Sequence, residues 1–259
     1  MGPSSISNLR FQISNSLALF VDPPRDGVTN MAIDGCLLAE AQRGGAGALR
    51  LYRWAPATLS LGYFQRHDDP TRLAEGLADL PVVRRCTGGG AIVHADELTY
   101  SLVLPADHPL AGEQPEDLYT WMHARIAEAV AHLGGQAAPK GGTGAAGRGG
   151  PFLCFRRHAR FDLMAGGQKL AGSAQRRTKM AVLQHGSVIL RRAYPAQPSA
   201  SLDEMLGRTV AFEELAEAII QSVRAAGVEL GLAAPADVDP KELEVQRRLH
   251  VSDEWLRRR

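Results

Sequence analysis

The chain has 259 residues, 22% of them charged and 45% hydrophobic, and a formal charge of +1. Those proportions suit a folded chain; they exclude a disordered segment and any function driven by bulk positive charge, so no nucleic-acid partner is expected. No apolar run approaches the ~20 residues of a membrane span. Three scattered cysteines, Cys36, Cys86 and Cys154, make neither a CxxC pair nor a zinc spacing, so the expectation is a reducing cytoplasm, no membrane and no metal.

Residues 1–10 read as a flexible tail and 11–259 as a single domain with a helical C-terminal part. Phe11 to Val21 reads as a strand and not as a signal peptide, because Asn15 interrupts it and Asp22-Pro23-Pro24 follow. Asn30 can cap a helix over 31–43 that Gly44-Gly45 stops. Short strands are predicted at 49–54, 58–61 and 82–85, and a hairpin pair at 91–94 and 98–104 around Asp96-Glu97. Leu118, Met122, Ile126, Val130 and Leu133 mark one helical face over 115–133. Lys140 to Gly150 holds six glycines in eleven residues and reads as a mobile loop. Strands resume at 152–155 and 161–164, Gly166-Gly167 signals a hairpin turn, and strands follow at 169–173 and 182–190. The last third reads as helices over 202–206, 212–226 and 240–249. Without regular βαβ alternation, the fold class is α+β, with a mixed, largely antiparallel sheet flanked by helices.

Three segments carry candidate chemistry. In the first, Gly88, Gly89 and Gly90 follow Arg84 and Arg85, with His94 close behind. Glycines let backbone N–H groups approach an anion, and arginines pair with carboxylate or phosphate. A hairpin loop with solvated arginines is the plainer reading, and both stay open. In the second, Cys154 follows the glycine-rich loop, and the Gly166-Gly167 turn could return Lys169 to its vicinity. The chain has 25 Arg and only four Lys, so a surviving lysine suggests a need for a compact ammonium. A free thiol, with a pKa of about 8.5, is only a few per cent thiolate at neutral pH. An ammonium that lowers such a value by roughly 2 units supplies about 2.7 kcal/mol and makes thiolate the major form. Cys86 is the rival thiol, and Cys36 reads as core. In the third, Gly172, Ser173 and Ala174 on a strand could let a narrow ligand lie against backbone, while close strand packing explains them equally.

Several stretches together carry a resemblance. They are Asn30 to Asp34 (NMAID), Pro56 to Gln65 (PATLSLGYFQ), Arg84 to Gly89 (RRCTGG), Glu97 to Ser101 (ELTYS), Cys154-Phe155, Asp162-Leu163, Gly167 to Arg177 (GQKLAGSAQRR), Leu183 to Ser187 (LQHGS) and Ser252 to Trp255 (SDEW). In this order they resemble the biotin/lipoate protein ligase superfamily, and within it the octanoyltransferases. The resemblance implies the α+β catalytic domain of that superfamily. It implies transfer of an octanoyl group from octanoyl-acyl carrier protein to a lysine of a lipoyl carrier domain, such as glycine cleavage H protein, without a cofactor. By the same resemblance Cys154 is the acyl-thioester nucleophile, and Lys169 activates it and assists the tetrahedral step. Arg84, Arg85, Gly88, Gly89, Gly90, His94, Gly172, Ser173 and Ala174, from the first and third segments, are the candidate substrate-binding residues. Gly90 departs from the octanoyltransferase pattern, which tends to carry Arg there. That keeps open a lipoate–protein ligase using ATP and Mg; an alternative of a different class is a non-catalytic acyl or carrier-protein binding module.

Overall fold

Strand β1 (Ser16–Val21) sends Leu17 and Leu19 to one side and Ala18 and Phe20 to the other, and this two-residue period sets the frame of the molecule. The computed structural model describes residues 15–142, 150–234 and 238–258. After β1 come α1 (Gly27–Gln42), β2 (Gly47–Tyr52), β3 (Thr58–Leu61), α2 (Thr71–Ala74), β4 (Val82–Arg84), β5 (Ile92–His94), β6 (Glu97–Pro105), α3 (Pro115–His132) and β7 (Ala138–Pro139). Then follow β8 (Leu163–Ala165), β9 (Gln168–Arg177), β10 (Ala181–Ile189), α4 (Leu202–Leu206), α5 (Phe212–Ala225), β11 (Glu229–Leu232), α6 (Pro240–Val251) and α7 (Asp253–Leu256).

Eight strands form one sheet in the order β11-β1-β2-β6-β10-β9-β8-β7. Strand β1 runs parallel to β2 and β11, and the remaining pairs are antiparallel. A second sheet, β4-β3-β5, pairs β3 parallel to β4 and antiparallel to β5. The α+β, largely antiparallel expectation holds. One face of the large sheet buries Leu98, Tyr100, Leu102 and Leu104 of β6 against Met122 and Ile126 of α3 and Leu215 and Ile219 of α5. Burying one such leucine stabilises by about 1.5–3 kcal/mol. The other face packs Phe20, Val103 and Leu183 against Ile33, Leu37 and Leu38 of α1.

Several expectations are corrected. The first helix starts at Gly27, because the Asp26 side chain caps it by accepting from the Thr29 backbone N–H at 2.9 Å. Asn30 lies inside that helix, buried, where its amide donates to the carbonyls of Arg25 and Arg53. Residues 91–94 and 98–104 are not a hairpin pair: β5 joins the small sheet through β3, and β6 sits between β2 and β10 in the large one. The run at 152–155 makes a single bridge, Leu153 to Ala91, before turning into a 3-10 helix at Cys154–Arg156. Strands β7 and β11 and helices α2 and α7 have no counterpart among the predicted elements. The tail at 1–10, the start of the 11–21 strand and residues 143–149 of the glycine-rich segment lie outside the described residues.

Candidate active site

Two turns bring the nucleophile candidate to its partner. Ala91 N–H donates to the Phe152 carbonyl at 2.8 Å, and Cys154 N–H donates back to the Ala91 carbonyl at 2.7 Å. This ladder presses Cys154 onto Gly90, where a Cβ would lie 2.9 Å from the Cys154 nitrogen and from the Phe152 oxygen. Gly90 is therefore needed for a close backbone approach. On the other side, Gly166 and Gly167 adopt φ of 54° and 80°, and the β8–β9 hairpin they close returns Lys169.

Lys169 is only 2% exposed. Its Nζ lies 3.6 Å from Cys154 Sγ, 2.9 Å from Asp162 Oδ2 and 3.5 Å from the Arg157 carbonyl. Burial pulls the ammonium's pKa down, but Cys154 and Asp162 outweigh it and hold the value above that of an ordinary lysine. The same Asp162 oxygen accepts the Ala159 backbone N–H at 2.7 Å, which fixes the carboxylate. Gly172 makes the seat: a Cβ there would stand 2.4 Å from Lys169 Nζ.

Cys154 stands where two cavities meet. A wide cleft of about 820 Å³ is lined by Glu116, Tyr119 and His123 of α3, by Arg157, Phe161 and Asp162, and by Lys169, Ser173 and Gln175 of β9. A narrow slot of about 30 Å³, with a mostly apolar lining that includes Met31, Trp54 and Ile92, runs inward past Ser60, His94, Ser173 and His185. Cys154, Gly89, Ser173 and Ala174 border both. The other thiols have different surroundings. Burial pushes Cys86 and Cys36 up to about 12 each, so they stay protonated at neutral pH.

The predicted substrate residues divide. Gly88, Gly89, Gly90, Ser173 and Ala174 line the wide cleft, and Gly172 and His94 line the slot. His94 is stacked on Trp54 at 3.9 Å between centroids; its Nε2 meets Ser60 Oγ at 2.8 Å and its Nδ1 meets Glu97. The arginines sit differently from the expected anion cradle. Arg84 is buried and donates to the carbonyls of Gly62, Tyr63, Gln65 and Leu256. Arg85 borders the slot, but its guanidinium donates to Ser60 and to the Gly88 and Gly90 carbonyls. Both guanidiniums brace loops: Arg84 ties β4 to α7, and Arg85 holds the triple glycine in shape.

Sequence reasoning assigned no role to three groups of this site: Asp162, Tyr119 and His123. Asp162 lay within a matched stretch. Tyr119 and His123 are four residues apart, hence on one helix face beside the Leu118, Met122 and Ile126 stripe, and that spacing was the available signal. The arginine rim around Cys154 is also partly neutralised. Arg156 pairs with Glu75 at 2.7 Å, Arg160 pairs with Glu116 at 3.3 Å, and Arg157 donates to the Gly150 and Pro151 carbonyls. Among the described residues, no cluster of three or more His, Cys, Asp or Glu side chains could hold a metal, and no helix is long and apolar enough to cross a membrane.

The architecture is that of the lipoate-protein ligases. A crystal structure of lipoate-protein ligase A bound with ATP superposes with a TM-score of 0.73 at 21% identity, covering 93% of this chain and 98% of that one. A bipartite lipoate protein ligase from Thermoplasma acidophilum gives 0.68 at 20% identity, covering 93% and 95%. The family model of the lipoyl protein ligase A/B catalytic domain matches residues 26–224, and the chain belongs to this family. Relatives include the octanoyltransferase LipM of Moorella thermoacetica, 34% identical over 90% of this chain and 95% of its own length. The octanoyltransferase LipM of Brevibacillus brevis is 31% identical, over 89% and 94%.

Proposed function

We infer that this chain is an octanoyltransferase of protein lipoylation that works through an acyl thioester on Cys154. One observation carries the reading: a buried ammonium 3.6 Å from a thiol, at the junction of a wide cleft and a narrow apolar slot. In this reading the octanoyl chain enters the slot, which must widen beyond its volume of about 30 Å³ to hold eight carbons, and the carrier-protein arm lies in the cleft. The Cys154 thiolate attacks the donor's thioester carbonyl; a C–S bond forms as the carrier's C–S bond breaks, and the carrier leaves as a thiol. The Lys169 ammonium, held by Asp162, faces the sulfur and stabilises the charge that develops during the tetrahedral step. A lysine amine of a lipoyl carrier domain then takes the acyl group and regenerates the thiol. The thioester already stores the energy of acyl transfer, so no ATP or other cofactor is required.

Similarity to the two LipM relatives supports the transferase reading, because both carry that activity in their names. The ligase alternative drew on Gly90, and Gly90 has a local cause here in the close approach of the Cys154 backbone. The test supplies octanoyl-acyl carrier protein and a lipoyl domain to the purified protein, with and without ATP. ATP-independent octanoylation of the domain is expected. A strict need for ATP would establish the ligase instead, and carrier binding without turnover would establish a binding module.

A further inference from the structure

We propose that Ser173, backed by His123, forms the proton relay that readies the acceptor's amine in the second half of the reaction, a proposal that rests on the thioester reading above. An acceptor lysine arrives as an ammonium, with an ordinary pKa of about 10.4, and must lose a proton before it can attack. Lys169 is unsuited to take that proton, since its ammonium is buried and ion-paired with Asp162 at 2.9 Å.

A different base faces the same cleft. His123 Nδ1 lies 2.5 Å from the Phe161 carbonyl, which can only accept, so Nδ1 carries the hydrogen. Nε2 of the neutral ring is then an acceptor, and Ser173 Oγ stands 2.5 Å away. With the Ser173 hydrogen committed to His123, Tyr100, which lies 2.6 Å from Ser173 Oγ and accepts from Gln184 Nε2 at 2.7 Å, is left to donate to Ser173. Gly186 opposite leaves the room, because a Cβ there would come within 2.4 Å of Ser173 Oγ. Ser173 and His123 border the cleft that Cys154 and Lys169 also border. Burial holds His123 below the ordinary imidazole value, so the ring is neutral at pH 7. The titratable groups around the relay are Asp162, Lys169, Tyr119 and Tyr100.

One proton of the acceptor ammonium passes to Ser173 Oγ as the Ser173 proton passes to His123 Nε2. The neutral nitrogen attacks the thioester carbonyl; the N–C bond forms, and the C–S bond breaks with its electron pair left on Cys154 Sγ. A second nitrogen proton goes to that sulfur, giving amide and thiol. His123 returns its proton through Ser173 to water in the cleft. Ser173 touches the reacting nitrogen, and His123 is a positioning residue that acts through it.

The test separates the two half-reactions. Wild type, Ser173→Ala and His123→Asn are loaded from a small soluble octanoyl thioester and followed by intact mass. They are then chased with a lipoyl domain across pH 5 to 9. Both variants should chase about tenfold or more slowly at pH 7, a deficit larger than any in loading. The wild-type chase rate should level off above the His123 pKa and fall below it, whereas His123→Asn, left to the free amine alone, should rise steadily with pH across the whole range. Toward hydroxylamine, an amine uncharged at neutral pH, the variants' deficit should shrink. Wild-type chase rates in both variants would overturn the relay, as would equal slowing toward both nucleophiles. If His123→Asn fails to fold, Ser173→Ala removes only a hydroxyl and decides alone. If wild type itself never loads, the thioester reading fails and the relay fails with it.

Discussion

The large sheet carries two buried charged clusters, and they differ in where each cluster ends. On the α1 face Arg50 is fully buried between Asp22 at 2.8 Å and Asp34 at 2.9 Å. Asp34 also takes hydrogen bonds from Tyr52, Ser101 and His185, and His185 Nε2 meets Thr87 Oγ1 at 2.6 Å under the glycine loop. Burial works against the Asp34 charge, yet His185 and Arg50 hold its carboxyl below the usual carboxylate range. This cluster locks helix, sheet and loop together and meets the slot through Tyr52 and His185. The Asp162–Lys169 pair is equally buried but ends at a thiol that borders both cavities. Similar ion pairs thus serve different ends: an arginine held between two carboxylates fixes geometry, and a lysine that ends at a thiol can act on a ligand.

Substitutions in the two clusters should separate those roles. The largest effect should come from Cys154→Ala, which removes the acyl acceptor and should cut octanoyl transfer by roughly 10³-fold or more while leaving the melting transition near that of wild type. Cys36→Ala and Cys86→Ala should keep the acyl adduct. Asp34→Ala in the arginine cluster should instead cost about 3 kcal/mol of stability in chemical denaturation, because it strips one partner from a buried arginine. A loss below about 1 kcal/mol would mean that Asp22 alone satisfies Arg50, and the contrast between the clusters would weaken.

Lys169→Met should slow acylation of Cys154 by about 10²-fold, the scale of a lost oxyanion-stabilising donor, beside a stability loss of the same kind as that of Asp34→Ala, since buried Asp162 loses its partner. Lys169→Arg should also be poor, since the planar fork has no room over Gly172. A variant at either position with normal loading kinetics would remove Lys169 from the chemistry.

Acid should act through a third buried group. His250 of α6 is 5% exposed with Nδ1 unpaired, and burial lowers it to about 4 from an ordinary 6.5. A depressed value contributes stability that is present above the unfolded pKa and lost as pH falls through 6.5 toward the folded one. The loss should reach about 2 kcal/mol between pH 7.5 and 5, and His250→Gln should flatten that slope in denaturation curves. The smallest effect belongs to the rim. Arg157→Glu should raise KM for the carrier-protein donor by about threefold, and added salt should shrink the difference. Arg156→Glu and Arg160→Glu should do less, since Glu75 and Glu116 already balance those charges.

The parts of the molecule governed by local rules were readable from the sequence. Helix α3 showed in its apolar period, and the Gly166-Gly167 turn correctly put Lys169 on a strand returning beside Cys154. What depended on which strand pairs with which was not readable. Residues 91–94 and 98–104 carry a hairpin signature, yet they belong to different sheets, because β5 follows β3. Arg84 and Arg85 look like an anion site next to glycines, and only the fold reveals that backbone carbonyls consume their donors. His123 and Ser173 are 50 residues apart, on a helix and a strand that meet only in the folded chain.

The central claim is that Cys154 carries the acyl group without ATP. Intact-mass measurement after brief exposure to octanoyl-acyl carrier protein, with no nucleotide and no acceptor, tests it directly. The account predicts one octanoyl adduct on the wild type, mapped by peptide digestion to Cys154, and none on Cys154→Ala. An unmodified wild type under conditions where it still octanoylates a lipoyl domain, or an undiminished adduct on Cys154→Ala, would contradict it.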